Sequence, residues 1–208
     1  MSDLRQATDV FGEWAVQGKD LGMEKGHAAA VQEMLDFALV ERERMNKKFS
    51  FLDLGCGNGW VVRKVSKDSF CSHAHGIDGA KQMIESAKLN GQKDNYILAD
   101  IENYQPNQKY DLIHSMEVLY YLKDPASIIQ KVKDSWLNEA GRFIAGIDLY
   151  HENSDSHSWE EKVGTRMLML KEKEWVEIFK QTGLKEVKTW RANSSDKWAG
   201  TLVLTGKK

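Results

Sequence analysis

The chain has 208 residues, of which 41% are hydrophobic and 29% charged, a composition typical of one globular α/β domain. Its net charge of −2 gives no overall field that would draw it to nucleic acid or to an anionic membrane. Two cysteines provide no disulfide framework, the first residues lack the apolar core of a signal peptide, and no apolar run approaches the roughly 20 residues that span a bilayer. We therefore expect a cytoplasmic protein that binds neither nucleic acid nor membrane.

Residues 1–48 are predicted to form an N-terminal helical cover, because they are too few for a separate domain. From Glu24 to about Arg44 the apolar residues recur at helical spacing and predict a helix with one buried face. A charged stretch from Glu41 to Lys48 ends the segment. We expect this helix to cover one edge or the mouth of a sheet.

Residues 49–149 alternate between short apolar runs and amphipathic stretches. The predicted strands are 49–54, 71–77, 95–99, 110–115 and 141–149, and the predicted helices are 61–67, 80–89 and 125–136. Such alternation is typical of a doubly wound, mostly parallel sheet with helices on both faces.

The last part of the chain, residues 150–208, differs from residues 49–149 in its hydrophobic pattern. Residues 150–170 show no period and predict a loop that contacts the substrate, and a helix is predicted over 171–181. Two further strands, 184–190 and 201–205, predict a closing antiparallel hairpin. The whole chain, 1–208, is thus predicted to be one α/β domain with a seven-stranded sheet.

A glycine-rich turn joins the first predicted strand to the first helix. Gly55, Gly57 and Gly59 stand at alternate positions, which allows a ligand to approach the backbone at the start of a helix. A dinucleotide site spaces its glycines G-x-G-x-x-G around a pyrophosphate. Here the third glycine comes one residue early and an acid, Asp53, precedes the first. The turn predicts a nucleotide-like ligand, and alone it leaves a dinucleotide open.

Carboxylates end the next two strands. Asp78 follows the glycine turn by about 20 residues, the position from which a carboxylate accepts both ribose hydroxyls of a bound nucleoside. Asp100 ends the third strand. For both residues the alternative is a carboxylate that caps a helix or a turn.

Together these segments resemble the class I S-adenosylmethionine (SAM)-dependent methyltransferases, most closely the small-molecule type. The segments that carry the resemblance are 53–59, 76–78, 98–100, 110–113 and 141–143, so it covers about residues 49–149. The turn at 138–141 departs from it, since relatives often carry Pro-Gly-Gly there. The resemblance implies a Rossmann-like fold, SAM as cofactor and S-adenosylhomocysteine as product.

The resemblance also implies roles for individual residues. Asp53 and the glycine backbone would hold the amino-acid end of SAM, and Asp100 would accept the adenine amino group. The full predicted cofactor set is Asp53, Gly55, Cys56, Gly57, Asp78, Gly79, Met83, Asp100, Ile101, Glu102 and Ser115, with Trp14 and Met23 from the cover packing on adenine or the sulfonium. For the last two, a place in the core is the alternative.

Methyl transfer is an in-line displacement that needs a base only if the nucleophile must lose a proton. Among the candidates His151 is the first choice, with Glu117 and His157 behind it, because histidine titrates near working pH. An exposed polar loop is the alternative for the two histidines. The predicted substrate residues are Tyr120, Tyr121, Tyr150 and Trp159.

The sequence also disfavours some acceptors and some candidate site residues. Residues 115–121 do not form the Asn/Asp-Pro-Pro-Tyr tetrapeptide, so nucleobase and glutamine acceptors are disfavoured. His114 lies inside a strand and is predicted to be a core histidine. No metal site is predicted, although Asp148 and Asn153 could imitate the metal-dependent catechol type.

The predicted function is methyl transfer from SAM to a small-molecule acceptor by a monomer or homodimer. Three rivals remain open. The same site could run another SAM-dependent chemistry, the protein could bind SAM without turnover and act through a protein partner, or it could be an NAD-linked dehydrogenase. The acceptor and its nucleophilic atom cannot be derived from the sequence.

Overall fold

The computed structural model of the protein describes residues 4–208, except the side chain of Asp94. The predicted cover begins at residue 1, so its first three residues lie outside the described range. None of the helices within residues 4–208 combines the length and the apolar character needed to cross a bilayer.

A seven-stranded sheet forms the centre of the described part of the chain. Its strands are β1 Phe49–Leu54, β2 Cys71–Asp78, β3 Tyr96–Leu98, β4 Tyr110–Met116, β5 Leu137–Ile147, β6 Lys185–Ala192 and β7 Thr201–Lys207. The spatial order is β3-β2-β1-β4-β5-β7-β6. Neighbouring strands from β3 to β5 are parallel, whereas β7 runs antiparallel to both β5 and β6. The predicted fold class, including the closing hairpin, is confirmed.

Helices pack on both faces of this sheet. They are α1 Ala7–Val16, α2 Asp20–Met45, α3 Trp60–Val65, α4 Lys81–Asn90, α5 Pro125–Lys131, α6 Trp159–Val163 and α7 Glu172–Gln181. One apolar cluster joins α5 and α7 to the sheet, where the rings of Phe143 and Phe179 stack at 5.5 Å. The other cluster joins α2, α3 and α4 to the opposite face. Both faces of β1 are therefore buried, as its apolar sequence predicts.

Several element boundaries differ from the predictions, and residues 150–170, predicted to be a loop, contain helix α6. The N-terminal cover contains two helices, and α2 starts at Asp20, four residues before the predicted start at Glu24. The predicted helix 125–136 changes from α to π geometry at Val132. Strand β5 starts at Leu137 because Ala140, with φ 60°, makes an irregularity that the strand passes through. Each difference reflects tertiary packing that a local pattern does not contain.

The N-terminal cover is attached at the edge of the sheet where the carboxyl ends of the parallel strands lie. Helix α1 packs against α4. The backbone N–H of Arg5 donates to the carbonyl of Gly164 at 2.9 Å, and the hydroxyl of Thr165 donates to the carbonyl of Arg5 at 2.8 Å. The ring of Phe11 meets that of Tyr121 edge to face, with centroids 5.2 Å apart. The cover thus spans the edge at which β1 to β5 end.

Candidate active site

A cavity of about 890 Å³ lies where the parallel strands end, beneath α1 and α2. Ligands bind at this edge of open α/β sheets, because the loops that follow the strands converge there. The volume falls in the range of small-molecule sites. Of the predicted cofactor residues, Asp53, Gly55, Cys56, Gly57, Asp78, Gly79, Met83, Asp100, Ile101, Glu102 and Met23 line this cavity.

The glycine turn forms one wall of the cavity. Gly55, Gly57 and Gly59 have φ angles of 76°, 51° and 78°, in the region that favours glycine. A Cβ built on Gly55 would lie 2.2 Å from Val118, whereas one on Gly57 would meet nothing nearer than the Sδ of Met83 at 3.9 Å. Gly57 is therefore the glycine whose open side faces the cavity.

Replacing Gly59 with alanine should lower the free energy of unfolding by about 2 kcal/mol, since φ is positive and the new Cβ would lie 2.4 Å from the ring of Tyr96. Thermal melting should show a fall of roughly 4–8 °C. Gly26→Ala is the matched control, because Gly26 is an exposed residue of α2 with nothing described within 4 Å of an added Cβ, and the change should raise the melting temperature. Equal melting temperatures for the two variants would contradict the assignment.

Asp78 connects the glycine turn to the start of α4. Its Oδ2 accepts from the N–H of Gly57 at 2.9 Å, and its Oδ1 accepts from the N–H of Ala80 at 2.8 Å. Burial raises the pKa of this carboxyl, and hydrogen bonds from the backbone of Ala80, Gly57 and Gly79 oppose the shift. A carboxylate has about four acceptor positions, so each oxygen keeps one for a ligand. Asp78 can therefore hold the turn and bind hydroxyl groups at once.

The loop after β3 forms the neighbouring wall. Asp100 accepts from the N–H of Glu102 at 3.0 Å and from the side chain of Asn103 at 2.6 Å. Its carboxylate thus caps this turn, the alternative role considered for it, while it still lines the cavity beside Ile101 and Glu102. A role toward adenine stays a prediction.

Asp53 and His114 form a buried pair at the cavity floor. The Nδ1 of His114 lies 2.7 Å from the Oδ1 of Asp53, and the two residues are 0% and 2% exposed. The residues face each other in the β1–β4 register. His114 is indeed a buried residue of the strand, but it also lines the cavity. Its Nε2 is buried and has no hydrogen-bond partner in the described part of the chain.

The cover contributes Met23 to the cavity but not Trp14. Trp14 packs against Phe11 of the same helix, and Phe11 lines the cavity instead. At the start of α2 the carboxylate of Asp20 accepts from the side chain of Asn58 at 3.0 Å. This buried hydrogen bond fixes the cover to the glycine turn.

A polar cluster lies where the cavity meets the ends of β4 and β5. Glu117 and His27 line the cavity, and the carboxylate of Asp148 lies behind them with its Oδ2 3.6 Å from the Nε2 of His27. The carboxylate of Glu117 accepts from the hydroxyl of Tyr120 at 2.6 Å and from the N–H of Asp148. Glu117 has a φ of 60°, an uncommon conformation for a residue that is not glycine.

Burial determines the protonation of this cluster. It raises the pKa of Glu117 well above its usual range, and the nearby charge of Asp148 adds to the shift. Burial also raises the pKa of Asp148. For His27 burial lowers the pKa, and Asp148 opposes this effect. The cluster therefore presents a neutral imidazole beside two carboxyl groups.

The structure places His151 and His157 away from this cavity. Both line a second, smaller cavity of about 370 Å³, with Glu160 and two methionines. The ring of His157 is hydrogen-bonded to the carbonyl of His151 at 2.8 Å. The start of their loop is held by Asn153, whose side chain donates to the carbonyl of Asp148 at 2.7 Å.

The predicted substrate residues also divide, between the main cavity and positions outside it. Tyr121 lines the main cavity. Tyr120 does not, but its hydroxyl donates to the carboxylate of Glu117. Tyr150 is fully buried, where its hydroxyl donates to the carbonyl of Gly200 at 2.7 Å, and Trp159 packs on the apolar core. The predicted cofactor residue Ser115 is also buried, where its hydroxyl donates to the carbonyl of Leu54.

Sequence reasoning missed His27, Asn58 and Phe11 as lining residues. A signal existed for Asn58, which stands inside the glycine turn. His27 lies four residues after Met23 in the same helix, but nothing in the local sequence marks it as a lining residue. Only the packing of α2 over the strand ends brings it to the cavity.

A family model described as a methyltransferase domain matches residues 45–183. The chain belongs to this family. Over 137 residues it is 30% identical to malonyl-[acyl-carrier protein] O-methyltransferase 2 of Ilyobacter polytropus, a match that covers 58% of this chain and 52% of that protein. The chain spans about half or less of the length of the curated relatives it matches first.

Solved structures share the fold of this methyltransferase domain. A putative methyltransferase of Haloferax volcanii, in complex with the Trm112 methyltransferase activator, is 24% identical over 98% of both chains, with a TM-score of 0.81. Magnesium protoporphyrin IX methyltransferase of Synechocystis PCC 6803, with bound S-adenosylhomocysteine (SAH), is 16% identical over 89% and 86% of the two chains, with a TM-score of 0.65. The predicted family is confirmed, and so is SAM as the cofactor that goes with it.

The cavity fits such a nucleoside. Gly57 leaves space at the turn, Asp78 keeps free acceptor positions, and His114 offers a buried nitrogen that lacks a partner. Gly57, Asp78 and His114 all line the same cavity.

Proposed function

We propose that the protein transfers a methyl group from SAM to a small-molecule acceptor. The observation that supports this most directly is the cavity, which continues from the cofactor residues to Phe11, Tyr121, His27 and Glu117. Its walls beyond the cofactor residues combine the rings of Phe11 and Tyr121 with polar and charged side chains, so they can both pack against and orient a small acceptor.

The residues of the cavity divide into three roles. Gly57 and Asp78 bind the nucleoside, with Asp53 fixed by its contact to His114. Phe11 and Tyr121 exclude water and provide the faces against which an acceptor packs. When bound, SAM supplies a methyl group on a positively charged sulfur, so the protein mainly has to align the acceptor with it.

Glu117 is the predicted catalytic residue that we retain. It lines the cavity, whereas His151 and His157 do not. A carboxyl group whose pKa is raised by burial accepts a proton more readily near neutral pH than an exposed one does. We assign to Glu117, beside neutral His27, any proton that leaves the acceptor.

The experiment is an SAH-release assay of the purified protein with SAM and fractionated small-molecule metabolites. We expect release with at least one fraction, and Glu117→Gln should lower the rate at least about tenfold. His151→Gln, in the second cavity, is the matched control and should keep the parent rate. Tight SAH binding without release in any fraction would reject the proposal, as would equal effects of the two substitutions.

A second candidate is a methyltransferase that depends on a protein activator. It is favoured by the similarity to the Haloferax volcanii protein, whose structure contains Trm112 and which this chain matches along nearly its whole length. Adding purified Trm112 to the same assay tests it, because release only in the presence of Trm112 would support this candidate. The cytoplasmic location, the monomer or homodimer state and the absence of nucleic-acid binding stay predictions.

A further inference from the structure

Three side chains from distant parts of the sequence meet at one end of the cavity. His27 comes from α2, Glu117 follows β4, and Asp148 follows β5. One potential ligand atom from each lies within 4.8 Å of the other two.

The cluster brings two carboxyl groups together at a largely buried position. The side chain of Asp148 is 6% exposed, and that of His27 is 24% exposed. The Oδ1 of Asp148 is buried and has no hydrogen-bond partner among residues 4–208. Burying a carboxylate oxygen without a partner is costly unless a cation or a donor compensates it. The arrangement therefore calls for a positively charged ligand.

We propose that His27, Glu117 and Asp148 bind a first-row transition-metal dication, such as Mn²⁺, Co²⁺ or Zn²⁺. One imidazole and two carboxylates suit these ions, whereas Mg²⁺ and Ca²⁺ prefer oxygen ligands alone. A dication also matches the two negative charges of the carboxylates.

The supporting contacts are those expected around a metal ligand. Both oxygens of Glu117 accept hydrogen bonds, one from the hydroxyl of Tyr120 and one from the N–H of Asp148. Such bonds orient a ligating carboxylate before the ion arrives.

An ammonium group of an acceptor is the competing ligand, and the geometry disfavours it. His27 and Glu117 line the cavity, but Asp148 lies behind them and does not. A bare ion can sit between the three side chains, whereas an ammonium carried on a carbon chain reaches only the two that face the cavity. The buried third carboxylate therefore favours the ion.

Three protein ligands leave coordination positions open toward the cavity, as in metal sites that bind substrate. An ion there would face the space beyond the cofactor residues, where an acceptor would bind, and the proton-accepting role of Glu117 would then apply to the protein without the ion. A role of the ion toward the acceptor rests on the proposed function, but the binding of the ion does not.

The test is a titration of the full chain, stripped with a chelator, in the absence of SAM and acceptor. CoCl2 is added while the visible absorption of the cobalt is recorded, and MnCl2 binding is followed by calorimetry. We expect one ion per chain. His27→Gln and Asp148→Asn should each weaken binding at least about tenfold, while thermal melting shows that the variants remain folded.

Two pairs of neighbouring histidines serve as controls, because they could bind ions adventitiously. The rings of His151 and His157 are 5.5 Å apart, and those of His73 and His75 are 5.3 Å apart. His151→Gln and His73→Gln should leave the binding unchanged.

Loss of binding in either control would overturn the assignment, and so would a lack of one-to-one binding in the parent chain. Equal affinity of His27→Gln and the parent would overturn it as well, and this variant suffices if Asp148→Asn does not fold. Because neither SAM nor acceptor is present, these results are independent of whether the protein transfers methyl groups.

Discussion

Asp78→Ala should weaken the binding of SAH about 100-fold. The carboxylate accepts from the N–H groups of Gly57 and Ala80 and still has acceptor positions for ribose hydroxyls. A hydrogen bond to a charged group contributes about 1.5–3 kcal/mol, so the loss of two such bonds in a buried site is worth about 3 kcal/mol or more. At about 1.4 kcal/mol per tenfold, this corresponds to at least about 100-fold in Kd, measured by calorimetry with SAH.

Asp68→Ala separates a lost ligand contact from a disturbed turn. The carboxylate of Asp68 accepts from the N–H of Phe70 at 2.7 Å, the same two-residue geometry as that between Asp78 and Ala80, but it lies before β2, at the opposite edge of the sheet. We expect this variant to bind SAH like the parent. If Asp78→Ala retained the parent affinity, the ribose role of Asp78 would be rejected.

His114→Phe should destabilise the protein by about 3 kcal/mol. The ring keeps the volume of the site filled, but it leaves the Oδ1 of buried Asp53 without its 2.7 Å partner. Removing one member of a buried polar pair costs more than the pair itself contributes, because the remaining group stays desolvated. For a chain of this size the melting temperature should fall by roughly 6–12 °C.

His114→Gln provides the comparison for that result, since its amide can still donate toward Asp53, and its melting temperature should lie nearer to that of the parent. Combining His114→Phe with Asp53→Leu should be less destabilising than the sum of the single changes, because no buried carboxylate is then left alone. Additive effects in that double variant would show that the two side chains do not interact.

The cofactor wall could be predicted from sequence because its chemistry is local. Gly55 and Gly57 follow β1 directly, and Asp78 and Asp100 come at or just after the ends of β2 and β3, so chain order alone brings them to one edge of a parallel sheet. The positions of the lining residues beyond the cofactor could not be predicted in this way, because they depend on how the helices of the N-terminal cover pack across that edge.

Two examples show where local reasoning fails. The α1 helix presents Phe11 to the cavity and turns Trp14 away from it, and a difference of three residues on one helix cannot be resolved without the packing partner. His151 and His27 are both histidines in polar stretches. Only the path of the chain after β5 and the position of α2 decide that His27 reaches the cavity.

The attachments of the N-terminal cover bear on how fast spent nucleoside can be exchanged. Arg5 pairs with Gly164, Phe11 rests on Tyr121, and Asp20 holds Asn58. Each contact is worth about 1 kcal/mol, whereas α2 is anchored on the sheet by the buried side chains of Val31, Met34 and Leu35. We therefore expect the segment before α2, and not α2 itself, to open within microseconds to milliseconds, so that the nucleoside can leave while the sheet and α2 stay assembled.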